Sequence, residues 1–306
     1  MKLIQTILIC LLTITVQAQT FDELIRNGDN FYDEEKYLES AMEYEKAFNL
    51  EEGNAGQYYN AACSWALSGD TIQSIKNLKL SADKGWKNLK HIKRDKDLTS
   101  LYEITGWAEI LEKVQANLDE YEKDFDKPLK EQLEQIYVRD QTLRQLYQSA
   151  EEKFGRESDE MKYFRELVSD QDSLNELEVI KIIEEKGWVG KSLVGGQANM
   201  TLWLVIQHAP IETQEKYLPL LEESVMKGES SGRHLALLED RIQMRNGKPQ
   251  TYGSQITRDE ETGKQIVYEI WEPEYVNQRR KNVGLGPIED YVKRLGIEWT
   301  IEQKEK

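Results

Sequence analysis

From Phe21 to about Trp86 the chain places small and large residues on a period of 34 positions, measured from Gly28 to Ala62, and that period leaves little freedom in how the segment folds. Gly28, Phe31, Tyr44 and Ala47, then Ala62, Trp65, Leu78 and Ala82, put small side chains where helices must approach closely and large ones between them. A unit of this kind cannot bury its apolar face alone, so each must stack on the next. Two helix-turn-helix units are expected, closed by a cap made from Asp95-Lys-Asp97-Leu98 and Trp107-Ala-Glu-Ile-Leu111, because a terminal unit must turn a polar face outward. Asp95 and Asp97 lack the glycine and the closing glutamate that a calcium loop requires.

The period and residue types of Gly28-Asp-Asn-Phe-Tyr32, followed by Tyr37-Leu-Glu-Ser-Ala-Met-Glu-Tyr44-Glu-Lys-Ala47, resemble tetratricopeptide repeats. Tyr59-Asn-Ala-Ala62 through Gly69-Asp70 matches more loosely. The resemblance implies an α-α array whose concave face takes a protein, a peptide or a neighbouring domain.

The chain opens with Lys2, an apolar run from Leu3 to Val16, and Val16-Gln17-Ala18 before Gln19, which is the make-up of a secretory leader cleaved after Ala18. That run is shorter than the roughly 20 residues of a spanning helix, so no membrane insertion is expected after cleavage. The expected location is periplasmic or extracellular. Cys10 leaves with the leader, and Ile9 before it argues against lipidation; Cys63, left alone, cannot form an internal disulfide. The fold must therefore rest on packing. Net charge is −16, and −17 once Lys2 is removed, leaving 39 basic residues against 56 acidic ones. Such a surface repels phosphate backbones and anionic lipid heads, which argues against nucleic acid and membrane surfaces as partners.

The expected organisation is a leader over 1–18, helical repeats with a capping helix over 19–127, an α-rich domain with one β-hairpin over 128–300, and a frayed tail over 301–306. The fold class is mainly α: tetratricopeptide-like α-α repeats, then an α-rich α+β domain. Trp107, Ile110, Leu111, Val114, Leu118, Tyr121 and Phe125 keep the rhythm of an amphipathic helix that ends near Pro128. The next helix aligns Leu133, Ile136, Leu143 and Tyr147, with Asp140 inside the stripe. A carboxylate on a buried side needs a partner, and Arg144 one turn on is the local one. A structural ion pair and a functional carboxylate both fit.

Asp170-Gln171-Asp172 and Asn175 read as the start of a further helix, and Gly195-Gly196 as a loop. The segment Asn199 to His208 is apolar on every side, which predicts a helix buried all round with Gln207 and His208 at its C-terminal end. Gly228-Glu-Ser230-Ser-Gly232 has the letters of a nucleophile elbow, but a helix, not a strand, is expected before it. No zinc-ligand spacing and no phosphate-cradling glycine motif occur, so neither metal nor cofactor is expected. A helix from Arg233 to Arg245 carries Asp240-Arg241 and stops at Asn246-Gly247. A hairpin of Gln250 to Thr257 and Lys264 to Trp271 then places Gln250, Tyr252 and Gln255 where they could face a cleft. Arg279-Arg280 either neutralises an acidic domain or binds an anion.

Taken with their spacing, Gln207-His208, Gln214, Asp240-Arg241, Gln250, Tyr252-Gly253, Gln255, Arg279-Arg280 and Gly284-Leu285 resemble an uncharacterised bacterial domain family of unknown function, over about residues 130 to 300. Its members often follow tetratricopeptide-like repeats in secreted proteins. The resemblance implies that these polar positions act together, and it implies no activity.

The expected function is an exported binding and interaction protein. Its repeats would dock a protein or peptide, and its polar cleft would hold a small polar ligand through Gln207, Gln214, Asp240, Arg144, Gln250, Tyr252 and Gln255. The alternative is a hydrolase-type enzyme in which His208 transfers a proton, Asp140 orients it or acts as the acid, Arg241 steadies negative charge and the Gln250 to Gln255 segment positions the substrate.

Overall fold

The computed structural model describes residues 19–305, so the leader expected over residues 1–18, with Cys10, lies outside the described residues. The chain divides into two compact units, Met1–Lys123 and Asp124–Lys306. Among the described residues, no helix is long and apolar enough to cross a membrane.

In the first unit, α1 (Phe21–Asp33) pairs with α2 (Tyr37–Phe48), and α3 (Ala55–Ser68) pairs with α4 (Thr71–Asp83). Thr20 with Glu23, and Asn54 with Gln57, form reciprocal capping boxes that fix where α1 and α3 begin. Gly69, at φ +93°, ends α3 in the left-handed conformation. Gly28 explains the close approach inside the first pair: a Cβ there would stand 3.1 Å from the Tyr44 ring. Buried serine hydroxyls complete the seams, Ser40 donating to the Gly28 carbonyl at 2.8 Å and Ser74 to the Ala62 carbonyl at 2.7 Å. A short α5 (Leu89–Ile92), a 3-10 turn over Lys96–Leu101 and α6 (Trp107–Tyr121) then close a core around Leu78, Leu98, Leu101, Trp107 and Ile110.

The second unit is built around α9. α7 (Lys127–Phe154) starts at an Asp126 cap with Pro128 in its first turn, and α8 (Asp159–Lys186) starts at a Ser158 cap. Asp170-Gln171-Asp172 therefore lies in the middle of α8 and does not begin a helix. α9 (Lys191–His208) contains the Gly195 position as a kink at φ +81° in place of a loop, and Phe125 packs close against it. Leu202, Trp203, Leu204, Val205 and Ile206 are all buried, as expected of a helix apolar on every side. α7, α8, α10 (Ile211–Met226) and α11 (Gly232–Arg245) surround it.

The hairpin is antiparallel but shorter than its sequence predicts: β1 (Ile256–Arg258) pairs with β2 (Gln265–Val267) in the register Thr257↔Ile266. The chain before β1 cannot extend the ladder, because Gly253 sits at φ +70° and the Thr251, Tyr252 and Ser254 amides are committed to Asp240. α12 (Val276–Asn282) and α13 (Ile288–Lys293) form a satellite core of Ile270, Val276, Ile288 and Val292. Residues 301–305 carry no helix or strand, yet the Gln303 side chain accepts from the Asn277 amide and the Lys304 amide donates to the Glu274 carbonyl.

Candidate functional site

The packing of α7 on α9 brings Asp140 to His208. His208 Nδ1 lies 3.1 Å from Asp140 Oδ1. Asp140 is 1% exposed, whereas the His208 side chain remains 18% exposed. Burial works to raise the Asp140 carboxyl, but the His208 hydrogen bond, the His208 and Arg144 charges and the Gln141 amide outweigh it and hold the carboxyl below its ordinary value. An ionised carboxylate only accepts, so Nδ1 carries the proton of this hydrogen bond, and in the neutral imidazole that leaves the lone pair on Nε2. Among the described residues, Nε2 has no hydrogen-bond partner.

Arg144 completes the cluster. It reaches the Asp140 backbone carbonyl at 2.8 Å and Asp140 Oδ1 at 3.4 Å, and it grips both oxygens of Asp172 at 2.8 Å each. Gln141 Nε2 donates to the remaining Asp140 oxygen at 2.6 Å. Asp172 and Gln141 escape sequence reasoning. Asp172 comes from another helix, 28 residues beyond Arg144, with no local pattern linking the two. Asp140, Asp172 and His208 hold ligand atoms within 4.8 Å of one another, close enough for a metal; the Arg144 guanidinium already supplies a positive charge to both carboxylates.

The C-terminal end of α9, where His208 sits, is closed by side chains from α10 and α11. Gln214 Nε2 donates to the Gln207 and Ala209 carbonyls at 2.7 and 3.2 Å, Arg241 to Gln207 at 3.3 Å, and Arg245 to Ala209 at 3.1 Å. Two guanidinium groups against the carbonyl end of a helix complement its dipole. Burial lowers the Arg241 pKa, and its Nε is buried without a partner, as is Gln214 Oε1. An orphan donor and an orphan acceptor beside one helix end are what a polar ligand or ordered water would satisfy.

The remaining expected site residues form a second, separate network. Asp240 is fully buried and accepts three backbone amides, Thr251 at 2.8 Å and Tyr252 at 2.9 Å on Oδ1 and Ser254 at 2.9 Å on Oδ2. Its desolvation outweighs those bonds and pushes the carboxyl above its ordinary value. Gln250 spends its amide on the Gln255 and Tyr268 carbonyls and the Gln255 N–H. Gln255 donates to the Leu237 carbonyl and Ser254. The Tyr252 phenol is paired with Glu239, and burial with that neighbour pushes it up. Arg279 and Arg280 bind loop carbonyls, those of Thr251 and Tyr252 among them. This network shapes the chain between α11 and β1, and most of its hydrogen bonds go to backbone, with Tyr252 to Glu239 and Gln255 to the Ser254 hydroxyl as side-chain pairs.

Ser230 follows helix α10 and hydrogen-bonds Asn199 and Ser224, which is not an elbow geometry. His234 stacks on Trp203, 4.1 Å between centroids at 6°, and desolvation lowers its pKa to about 4.

Comparison with known proteins agrees with the resemblance drawn from these polar positions. The family described as "Family of unknown function (DUF6624)" matches residues 128–304, more than half of the chain, and the chain belongs to that family. No curated protein and no solved structure matches the chain.

Proposed function

We propose that the second unit is an acid–base catalyst of the hydrolase type acting on a small polar substrate. The observation that carries this reading is the Asp140–His208 pair at 3.1 Å, with the imidazole partly open to solvent and its Nε2 unengaged. His208 is the proton-transfer group. Asp140 is a positioning residue that fixes the tautomer and steadies the imidazolium. Arg241, with its buried and unpartnered Nε beside the same helix end, is placed to steady negative charge on the substrate. The leader-like N-terminus supports a site that works outside the cytoplasm.

A receptor that holds the same polar ligand without turnover is the second reading. It is favoured by Asp240, Gln250 and Gln255, which serve backbone instead of joining His208.

The test is turnover by the full chain on chromogenic glycosides and phosphoesters. The expected result is activity that falls about 10²- to 10⁴-fold in His208→Ala. Undiminished turnover in that variant removes the dyad from the mechanism, and saturable binding without any turnover establishes the receptor reading.

A further inference from the structure

The first unit contains a cavity of about 490 Å³ that the acid–base reading does not use. Four carboxylates line it: Asp29 and Asp33 from α1, and Asp95 and Asp97 at the start of the 3-10 turn. Among the described residues, none of the four is ion-paired with a lysine or arginine. Among the described residues that line the cavity the basic one is His91, whose Nε2 is 3.3 Å from Asp95.

Phenols, not lysines or arginines, hold three of these carboxylates in place. The Tyr44 hydroxyl donates to Asp29 Oδ1 at 2.5 Å, Tyr32 to Asp97 Oδ2 at 2.5 Å and Tyr59 to Asp95 Oδ2 at 2.7 Å. A neutral donor orients a carboxylate and leaves its charge in the cavity. The second Asp95 oxygen accepts from the Asp97 amide, whereas Asp29 Oδ2 and Asp97 Oδ1 have no protein donor among the described residues. The uncompensated charge is felt around the cavity: besides burial, the facing carboxylates help push up the Tyr32 and Tyr59 phenols and the Cys63 thiol.

The wall is aromatic. Tyr59 and Trp86 stack with centroids 4.2 Å apart at 16°. Such faces attract cations and cover an alkyl stem.

Cys63, Asp95 and Asp97 bring ligand atoms within 4.8 Å of one another, but the thiol keeps its proton and donates to Asp95 at 3.8 Å, and both Asp95 oxygens already accept protein donors, which among the described residues leaves Asp97 Oδ1 as the one free ligand atom of the three residues. A metal ligand must be deprotonated. The volume also exceeds what one bare ion fills.

We infer that this cavity binds an organic cation with N–H donors, a primary ammonium or a guanidinium on an alkyl chain. The free oxygens of Asp29 and Asp97 take the donors, the exposed Asp33 adds charge, and the Tyr59–Trp86 stack covers the stem.

The experiment is isothermal titration calorimetry of the full chain with n-butylammonium, n-butylguanidinium, and end-blocked peptides carrying one lysine or one arginine. Saturable binding is expected, weakened by added salt and weakened about tenfold by Asp97→Asn, since a charge-assisted hydrogen bond is lost. Asp33→Asn, at an exposed position, is expected to weaken binding while leaving the fold intact, and it stands in if Asp97→Asn fails to fold. Tighter binding of the peptides than of the butyl cations identifies a basic side chain of a protein partner as the occupant; equal or weaker binding identifies a free amine. The inference is overturned if none of the four probes binds saturably, if both variants bind as the parent does, or if calcium or zinc alone binds and displaces the organic cations.

Discussion

Asp140 and Asp240 are carboxylates of the same unit, 1% and 0% exposed, and their pKa values move in opposite directions. Asp140 faces a histidine and an arginine, whose charges outweigh its desolvation. Asp240 faces three amides, which fix the backbone but do not. A buried carboxylate answered by ionisable side chains is available for proton chemistry. One answered by main-chain N–H groups is a fastener. Two histidines repeat the contrast: His208 has a carboxylate, whereas His234 has the Trp203 ring.

The largest test of this contrast is Asp240→Ala. It strands three buried amides at about 1 to 3 kcal/mol each, so a loss of about 4 kcal/mol is expected in urea unfolding. Asp240→Asn keeps a carbonyl oxygen for Thr251 and Tyr252 and should cost roughly half as much. A loss in Asp240→Ala no larger than that of a surface substitution would break the comparison.

The second test is acid titration of stability. The folded pKa of His234 is about 4 against an ordinary 6.5, so the folded protein resists protonation while the unfolded chain accepts it. Its contribution is complete above 6.5 and is lost as pH falls toward 4, on the order of 2 to 3 kcal/mol. His234→Phe, which keeps a ring on Trp203, should remove that slope from the melting temperature profile.

Asp140→Asn should cost about 1 to 2 kcal/mol at neutral pH, because the amide still meets His208 and Arg144 keeps Asp172. Its signature is in the acid limb. The folded Asp140 pKa lies below 3.8, so its stabilisation is present above that value and lost as pH falls through the lower folded one; the variant should flatten that limb. Because the folded Asp240 pKa is raised, that residue contributes with the opposite sign, and Asp240→Asn should leave the limb in place.

The smallest expected effect is Arg144→Lys. It trades a guanidinium whose Nη2 is shared between both Asp172 oxygens and whose Nη1 meets the Asp140 carbonyl for one compact ammonium, at a side chain 25% exposed, for about 1 kcal/mol or less. A larger loss would mean that Arg144, and not His208, is the principal partner of Asp140.

Much of the Asp140 site was legible because it follows helix periodicity. Asp140 falls in an apolar stripe, Arg144 lies one turn on, and His208 ends a segment, Asn199 to His208, whose apolar residues leave no solvent face. Asp172 was not legible as a partner, since only the packing of α8 against α7 delivers it. The Asp240 network was readable as a set of polar positions but not as a fastener, because its acceptors and donors are main-chain groups that every sequence contains. The same blindness lengthened the expected strands: alternation suggested a ladder where Asp240 had taken the amides. In the first unit the capping boxes and the Gly28 contact follow the 34-residue pattern, whereas Asp95 and Asp97, read as part of a capping segment and as an incomplete calcium loop, meet the α1 and α3 tyrosines through tertiary packing.

Cys63 gives this chain a built-in clock. Beyond residue 18 it is the single cysteine, 5% exposed, with a thiol that burial keeps protonated. Because Cys63 lines the cavity of the first unit, maleimide labelling reports on access to that cavity and on the opening of that unit, and occupancy of the cavity should slow it, while the second unit, which has no thiol, stays silent.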